Sequence, residues 1–214
     1  PGETVWTFPA EGKVGEIWSS PEIHDDKVIF GSLDHYVYAV SLKDGTELWK
    51  YKTGGAVVGN PLIVENNVII GSFDRTLYAL SLSKGEEQWR FSADDWFWSG
   101  PQYDGTKIYA ATMGGTVYAL SKRGQERWSF QANGPIVSRP LVLNDNLVVA
   151  TEQGRIYRLS VRGGIEEWFY DIDSEVRAPL IGRDDVVFVS SMDQMVRAVN
   201  VQKGLEIWKV NTKR

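Results

Sequence analysis

The stretch "GSLDHYVYAVSLKDGTELWKY" (residues 31–51) and the stretch "GSFDRTLYALSLSKGEEQWRF" (residues 71–91) decide the fold of this chain. Both begin with Gly-Ser, continue through an aliphatic-Tyr-Ala-aliphatic run, and end with a glycine followed by a tryptophan, all in register. Self-similarity at a period of about 40 residues is typical of proteins built from repeated supersecondary units. The chain is therefore expected to be a repeat protein.

The repeat extends along the whole chain of 214 residues. A tryptophan recurs at intervals of about 40 residues, as Trp6, Trp49, Trp89, Trp128, Trp168 and Trp208. A glycine precedes it in five repeats, as Gly45, Gly85, Gly124, Gly164 and Gly204. A proline opens a short apolar run in each repeat, as Pro21, Pro61, Pro101, Pro140 and Pro179.

Each repeat divides into four runs of strand length, which in the first repeat are "IWSSPEI", "KVIFGS", "YVYAVSL" and "TELWKYK". The breaks between them are rich in Asp and Gly, which tolerate the positive φ of tight hairpins. The third run is apolar on both faces, so it lies between two layers, and the proline of the first run suits an edge strand. A β-solenoid fits less well because its rungs are shorter and lack three hairpin turns.

These features predict an all-β chain, a β-propeller made of five complete four-stranded antiparallel blades. The predicted blades cover about residues 14–51, 54–91, 94–130, 133–170 and 173–210 of a single propeller region over residues 1–214.

The segment "ETVWTF" around Trp6 reads as an additional outer strand within residues 1–10, without the first three strands of its own blade. An orphan strand and five blades indicate that the chain is part of a larger propeller of seven or eight blades. The alternative is that a second chain covers the open faces of the terminal blades. The sequence starts at Pro1, which we interpret as a processed or trimmed N-terminus; a targeting signal or anchor would have been lost with it.

The repeats "ATMGGTVYALSKRGQERWSF", "ATEQGRIYRLSVRGGIEEWFY" and "SSMDQMVRAVNVQKGLEIWKV", with the two quoted above, resemble the PQQ-like (quinoprotein alcohol dehydrogenase-like) propeller family. The resemblance covers essentially the whole chain. It implies that the periodic tryptophans lie on the outer strands and dock between blades. Among these propellers the chain is similar to the BamB-like scaffold type, which implies an extracytoplasmic location, periplasmic or at the cell surface of a prokaryote.

Composition narrows the classes of partner. The chain has 23 basic and 28 acidic residues, a net charge of −5, so a nucleic-acid surface is not expected. It has no cysteine, which excludes a disulfide framework and a cysteine-ligated metal. No apolar run approaches the roughly 20 residues of a membrane-spanning helix.

The sequence predicts no catalytic, cofactor or metal site. Enzymes of the PQQ-like family hold the quinone over a calcium ion, with an aspartate base and a disulfide of adjacent cysteines, and none of these can be matched in this chain. The acidic pairs Asp25-Asp26 and Asp184-Asp185 fall at predicted hairpin turns. The two histidines, His24 and His35, also fall in predicted turns and make a poor metal site.

One connection breaks the repeat. "DDWFWSGP" places Trp96, Phe97 and Trp98 together, and Trp18 aligns with Trp98, whereas other repeats carry valine in these connections. Two interpretations stay open: these rings form a partner interface, to which Arg139 and Arg177 could add charge, or they cap a wider gap between blades.

The function predicted from the sequence is a non-catalytic scaffold for protein partners, with envelope or outer-membrane protein assembly as its candidate setting. Two alternatives remain: a segment of a PQQ-dependent dehydrogenase, and the ligand-sensing ectodomain of a receptor or kinase.

Overall fold

The computed structural model describes residues 2–9 and 13–213. Within these residues all regular structure is β, arranged as five four-stranded antiparallel sheets in which neighbouring strands follow one another in sequence. The prediction of an all-β propeller with four-stranded blades is confirmed. None of the described residues forms a helix long and apolar enough to cross a membrane. The chain divides into two compact units, Pro1–Pro101 and Gln102–Arg214.

The first unit contains two sheets. Their strands are β1 (Glu22–His24), β2 (Lys27–Gly31), β3 (Tyr36–Ser41), β4 (Glu47–Lys52), β5 (Leu62–Val64), β6 (Asn67–Gly71), β7 (Thr76–Ser81) and β8 (Glu87–Ser92).

The second unit contains three sheets. Their strands are β9 (Gln102–Tyr103), β10 (Lys107–Ala111), β11 (Thr116–Ser121), β12 (Glu126–Gln131), β13 (Leu141–Leu143), β14 (Asn146–Ala150), β15 (Arg155–Ser160), β16 (Glu166–Asp171), β17 (Ile181–Arg183), β18 (Val186–Ser191), β19 (Met195–Asn200) and β20 (Leu205–Asn211).

The acidic pairs and their equivalents form the first hairpin of each sheet. Asp25 and Asp184 adopt positive φ values of 51° and 54°, as do Glu65 and Asn144 at the equivalent turns. Asp26 is held by Lys27 at 2.5 Å, and Asp185 accepts a hydrogen bond from Gln202 at 3.1 Å. These carboxylates therefore serve turn geometry, as the sequence predicts.

The third strand of each sheet is buried on both faces. In β3, Val37, Ala39 and Val40 are fully buried, and Tyr38 is nearly so. In the first unit, Val37 and Ala39 belong to a core cluster that also contains Ile70 and Leu80 from the second sheet. One buried face of β3 thus packs on the next sheet, as in a propeller, and Tyr38 and Val40 on the other face pack against Trp6 and Phe8 of the N-terminal segment.

The recurring tryptophan and glycine meet between consecutive sheets. Trp49 of β4 donates its indole N–H to the carbonyl of Leu82 at 3.1 Å, and its ring lies against Gly85. Gly85 has a φ of +70°, and a Cβ at that position would lie 2.5 Å from the ring. Glycine is therefore required both for backbone conformation and for space. In the second unit, the indole N–H of Trp128 donates to the carbonyl of Val161, and that of Trp168 donates to the carbonyl of Val201.

Two predicted elements differ from expectation. Residues 2–9, the described part of the predicted orphan strand over 1–10, form no strand, because they make no backbone ladder with any described strand. Trp6 nonetheless donates to the carbonyl of Leu42 at 3.0 Å and packs on Gly45. Trp208 does not dock between sheets: its ring is 45% exposed, beside Phe188 of its own sheet, since no described sheet follows β20.

Candidate protein-binding site

The connection after β8 alternates between the interior and the surface. Phe97 is fully buried, whereas Trp96 and Trp98 are 45% and 36% exposed. The backbone N–H of Phe97 donates to the carbonyl of Ser72 at 3.3 Å, and the ring lies where a Cβ on Gly71 would point. Of the three rings that the interface interpretation groups together, Phe97 is thus buried in the core, whereas Trp96 and Trp98 face outward.

The outward-facing rings form one cluster in the first unit, which we call the aromatic cluster: Trp18, Phe73, Trp96 and Trp98. Phe73 stacks on Trp96 at 5.3 Å between ring centroids and on Trp98 at 5.6 Å, with interplanar angles of 20° and 21°. Trp18 meets Trp98 edge to face at 6.1 Å and is 59% exposed. The structure thus brings Trp18, Trp96 and Trp98 together, although Trp18 lies far from the other two in sequence.

Phe73 is the member of the cluster that the sequence analysis missed. It lies in the turn after β6, in the repeated "GSFD" stretch, where the first repeat has Leu33. The one sequence signal for it is this aromatic residue at a turn position where the first repeat has leucine. Phe73 fixes the cluster by filling the space between the two tryptophans of the other connection.

Arg139 and Arg177 belong to the second unit. Arg177 is exposed and pairs with Glu152 at 3.1 Å and with Glu175 at 2.9 Å. Arg139 is partly buried in the connection before β13. The two acidic partners of Arg177 were not anticipated from the sequence.

Charge differs between the units. Residues 1–101 contain 15 acidic and 8 basic residues, a net charge of −7, whereas residues 102–214 contain 13 acidic and 15 basic residues, a net charge of +2. The aromatic cluster therefore lies on the acidic unit. Its potential attracts cationic partners over distances of about a Debye length, roughly 8–10 Å at physiological salt.

Two partly buried carboxylates of the first unit have structural roles. Asp34 accepts hydrogen bonds from the N–H of Gly15 at 3.0 Å and from the hydroxyl of Tyr38 at 2.9 Å. Burial opposes ionisation of Asp34, but these hydrogen bonds outweigh it and lower its pKa.

Asp74 is the equivalent residue of the second sheet. It accepts hydrogen bonds from the N–H of Gly54 at 2.6 Å and from the hydroxyl of Tyr78 at 2.7 Å. Burial, and then the hydrogen bond to Asp74, raise the pKa of Tyr78 to about 12. Both aspartates therefore hold the connections between sheets in place.

The residues that the structure describes do not fit a quinone and calcium site. Calcium takes six to eight oxygen ligands, commonly from several carboxylates. Among the described residues no three acidic, histidine or cysteine side chains are grouped closely enough to hold a metal ion. His24 lies 3.8 Å from Asp25 in the first hairpin, and the carbonyl of His35 accepts hydrogen bonds from Thr53. The chain also lacks the cysteines of the vicinal disulfide.

Comparison with known proteins places these features in a family. A family model described as outer membrane protein assembly factor BamB matches residues 1–96 and 83–214. The structure is similar to the crystal structure of BamB from Moraxella catarrhalis, with a TM-score of 0.82 and 21% sequence identity, over 96% of this chain. It is also similar to the computationally designed Ika8 protein, with a TM-score of 0.78 and 20% identity, over 90% of this chain.

The matched region spans 64% of the Moraxella catarrhalis protein and 60% of the designed protein. At these identities the likeness concerns the fold alone. No curated protein matches the chain.

Proposed function

Because this chain belongs to the β-propeller family described as outer membrane protein assembly factor BamB, we propose that it is a non-catalytic scaffold that binds protein partners in the cell envelope. Its location in this proposal is extracytoplasmic, periplasmic or at the cell surface of a prokaryote. The partner is a protein, and the proposed contact surface is the aromatic cluster of the first unit.

The observation that carries the proposal is the exposure of three tryptophans in one packed group. Tryptophan is enriched among the residues that dominate protein interfaces, and a contiguous exposed apolar patch on a soluble domain commonly marks a binding site. Trp18, Trp96 and Trp98 contact one another or Phe73, so a partner meets a preformed surface. Preorganisation lowers the entropy cost of binding.

The cluster is also anchored in the core. Phe97, between the two exposed indoles in sequence, is fully buried, and its backbone is tied to Ser72. Val57 holds the equivalent buried position in the preceding connection, where its N–H donates to Ser32 at 3.0 Å. Rings held by such buried neighbours keep a fixed orientation, which favours a role in binding. Such a role requires no catalytic group at this surface.

Site-specific photocrosslinking in the envelope fraction of the source organism tests the proposal. The photoreactive residue p-benzoylphenylalanine replaces Trp98 in one variant and Leu48, which is 44% exposed on β4, in a control variant. We expect a discrete protein adduct from position 98 and none from position 48. Equal adducts from both positions, or none from position 98 in a folded variant, would refute the proposed surface.

A further inference from the structure

The aromatic cluster and its surroundings specify the chemistry of a partner. We propose that the cluster binds an extended cationic segment whose arginine side chains stack on the indole faces; this rests on the proposed function, because it assigns a ligand class to the same surface. Three features carry the inference: the exposure of the rings, their arrangement, and the charge of the segments that hold them.

The ring faces are available to a ligand. Trp96 has one face stacked on Phe73, and 45% of the residue is exposed to solvent. Trp18 contacts Trp98 edge to face and is 59% exposed. The face of an indole is electron-rich and attracts a cation within about 6 Å, and a guanidinium group also stacks on it in parallel.

The spacing of the rings suits an extended chain. Successive ring centroids, from Trp96 to Phe73, Trp98 and Trp18, are separated by 5.3, 5.6 and 6.1 Å. Side chains on one face of an extended strand repeat about every 6.5–7 Å, because each residue advances roughly 3.3 Å. Because Phe73 stacks on both Trp96 and Trp98, arginines can reach only the outer rings of the cluster, and the alternate side chains of an extended segment can reach separate rings.

The segments that carry the rings are acidic. Residues 15–20, 72–76 and 94–99 contain the acidic residues Glu16, Asp74, Asp94 and Asp95 and one basic residue, Arg75. The whole first unit has a net charge of −7. Charge complementarity therefore favours a basic partner segment and disfavours an acidic one, with the effect falling as salt rises.

A pair of synthetic peptides tests the inference on the full chain. The probe is a fluorescein-labelled peptide of alternating serine and arginine, with three arginines in seven residues; its partner carries citrulline, the neutral isostere, at the three arginine positions. Fluorescence anisotropy measures both dissociation constants. We expect at least tenfold weaker binding of the citrulline peptide, and at least tenfold weaker binding of the arginine peptide to the double variant Trp96→Leu/Trp98→Leu.

Leucine keeps an apolar surface and removes the ring faces, so this double variant separates cation–ring stacking from apolar contact. Trp208→Leu is the matched control, because Trp208 in the second unit is also 45% exposed. It should leave the dissociation constant unchanged. Near-ultraviolet circular dichroism and thermal unfolding establish that each variant is folded. Glu16→Gln should weaken the arginine peptide severalfold at low salt, and Glu86→Gln on the turn before β8 should not.

The outcomes separate this inference from the proposed function. Equal binding of both peptides, lost in the tryptophan double variant, would overturn the cationic specificity and leave the surface as an apolar interface. Binding of the arginine peptide that survives the double variant would mean diffuse charge attraction and would also overturn the inference. Absence of any peptide binding, together with a crosslinked partner at position 98, overturns the inference alone.

Discussion

Replacing Gly85 by alanine should lower the free energy of unfolding by about 2–5 kcal/mol. The φ of +70° at Gly85 costs an L-residue roughly 1–2 kcal/mol. The new Cβ would lie 2.5 Å from the ring of Trp49, well inside contact distance, and overpacking of this kind costs about 1–3 kcal/mol. Movement of the ring also stretches its hydrogen bond to Leu82, now 3.1 Å.

Alanine substitutions at two other glycines separate the cost of backbone strain from the cost of the clash with the ring. Gly105 has a φ of +95°, and a Cβ added there would have no atom within 4 Å, so Gly105→Ala carries the backbone strain without the clash and should cost about 1–2 kcal/mol. Gly163 has ordinary backbone and only Ile165 at 3.9 Å, so Gly163→Ala should change stability by less than about 0.5 kcal/mol.

Urea and thermal unfolding, followed by tryptophan fluorescence and circular dichroism, measure the series. For a chain of this size 1 kcal/mol corresponds to a shift of about 2–4 °C in the melting temperature. In a Trp49→Ala background, Gly85→Ala should cost no more than Gly105→Ala, because the clashing ring is gone. If Gly85→Ala and Gly105→Ala cost the same in the wild-type background, the tryptophan–glycine contact does not constrain this turn.

Two further predictions concern a buried ring and an ion pair. Phe97→Ala should lower the free energy of unfolding in urea by about 3–5 kcal/mol, because Phe97 is fully buried. Trp96→Ala should lower it by only about 1 kcal/mol, because Trp96 loses mainly one stacking contact. The reverse order would contradict the burial of Phe97 and the exposure of Trp96. Asp193→Asn should lower the free energy of unfolding at pH 7, since Arg197 at 2.5 Å lowers the pKa of Asp193. The difference in stability between variant and wild type should shrink as the pH falls below about 3.9, the pKa of an aspartate in the unfolded chain. A difference in stability that persists at low pH would exclude this ion pair as its cause.

The sequence predicted the repeat and most of what the repeat builds, because these features are local. Strand length, the turns at Asp25 and Asp184, and the burial of the third strand on both faces follow from patterns within one repeat. The recurring glycine before each tryptophan also belongs to the pattern, although only the structure shows why. Gly85, Gly164 and Gly204 each lie against the tryptophan of the sheet before their own.

The tertiary structure alone decided which aromatic residues form the surface. Phe97 and its neighbours Trp96 and Trp98 look equivalent in the sequence, but the pairing of Phe97 with Ser72 turns that ring inward and the two indoles outward. Phe73 joins them from a different turn, and Trp18 from the connection before β1. A local pattern fixes the direction of a side chain relative to its own strand; which rings then meet depends on how separate sheets pack, and that packing is set by the buried contacts between them.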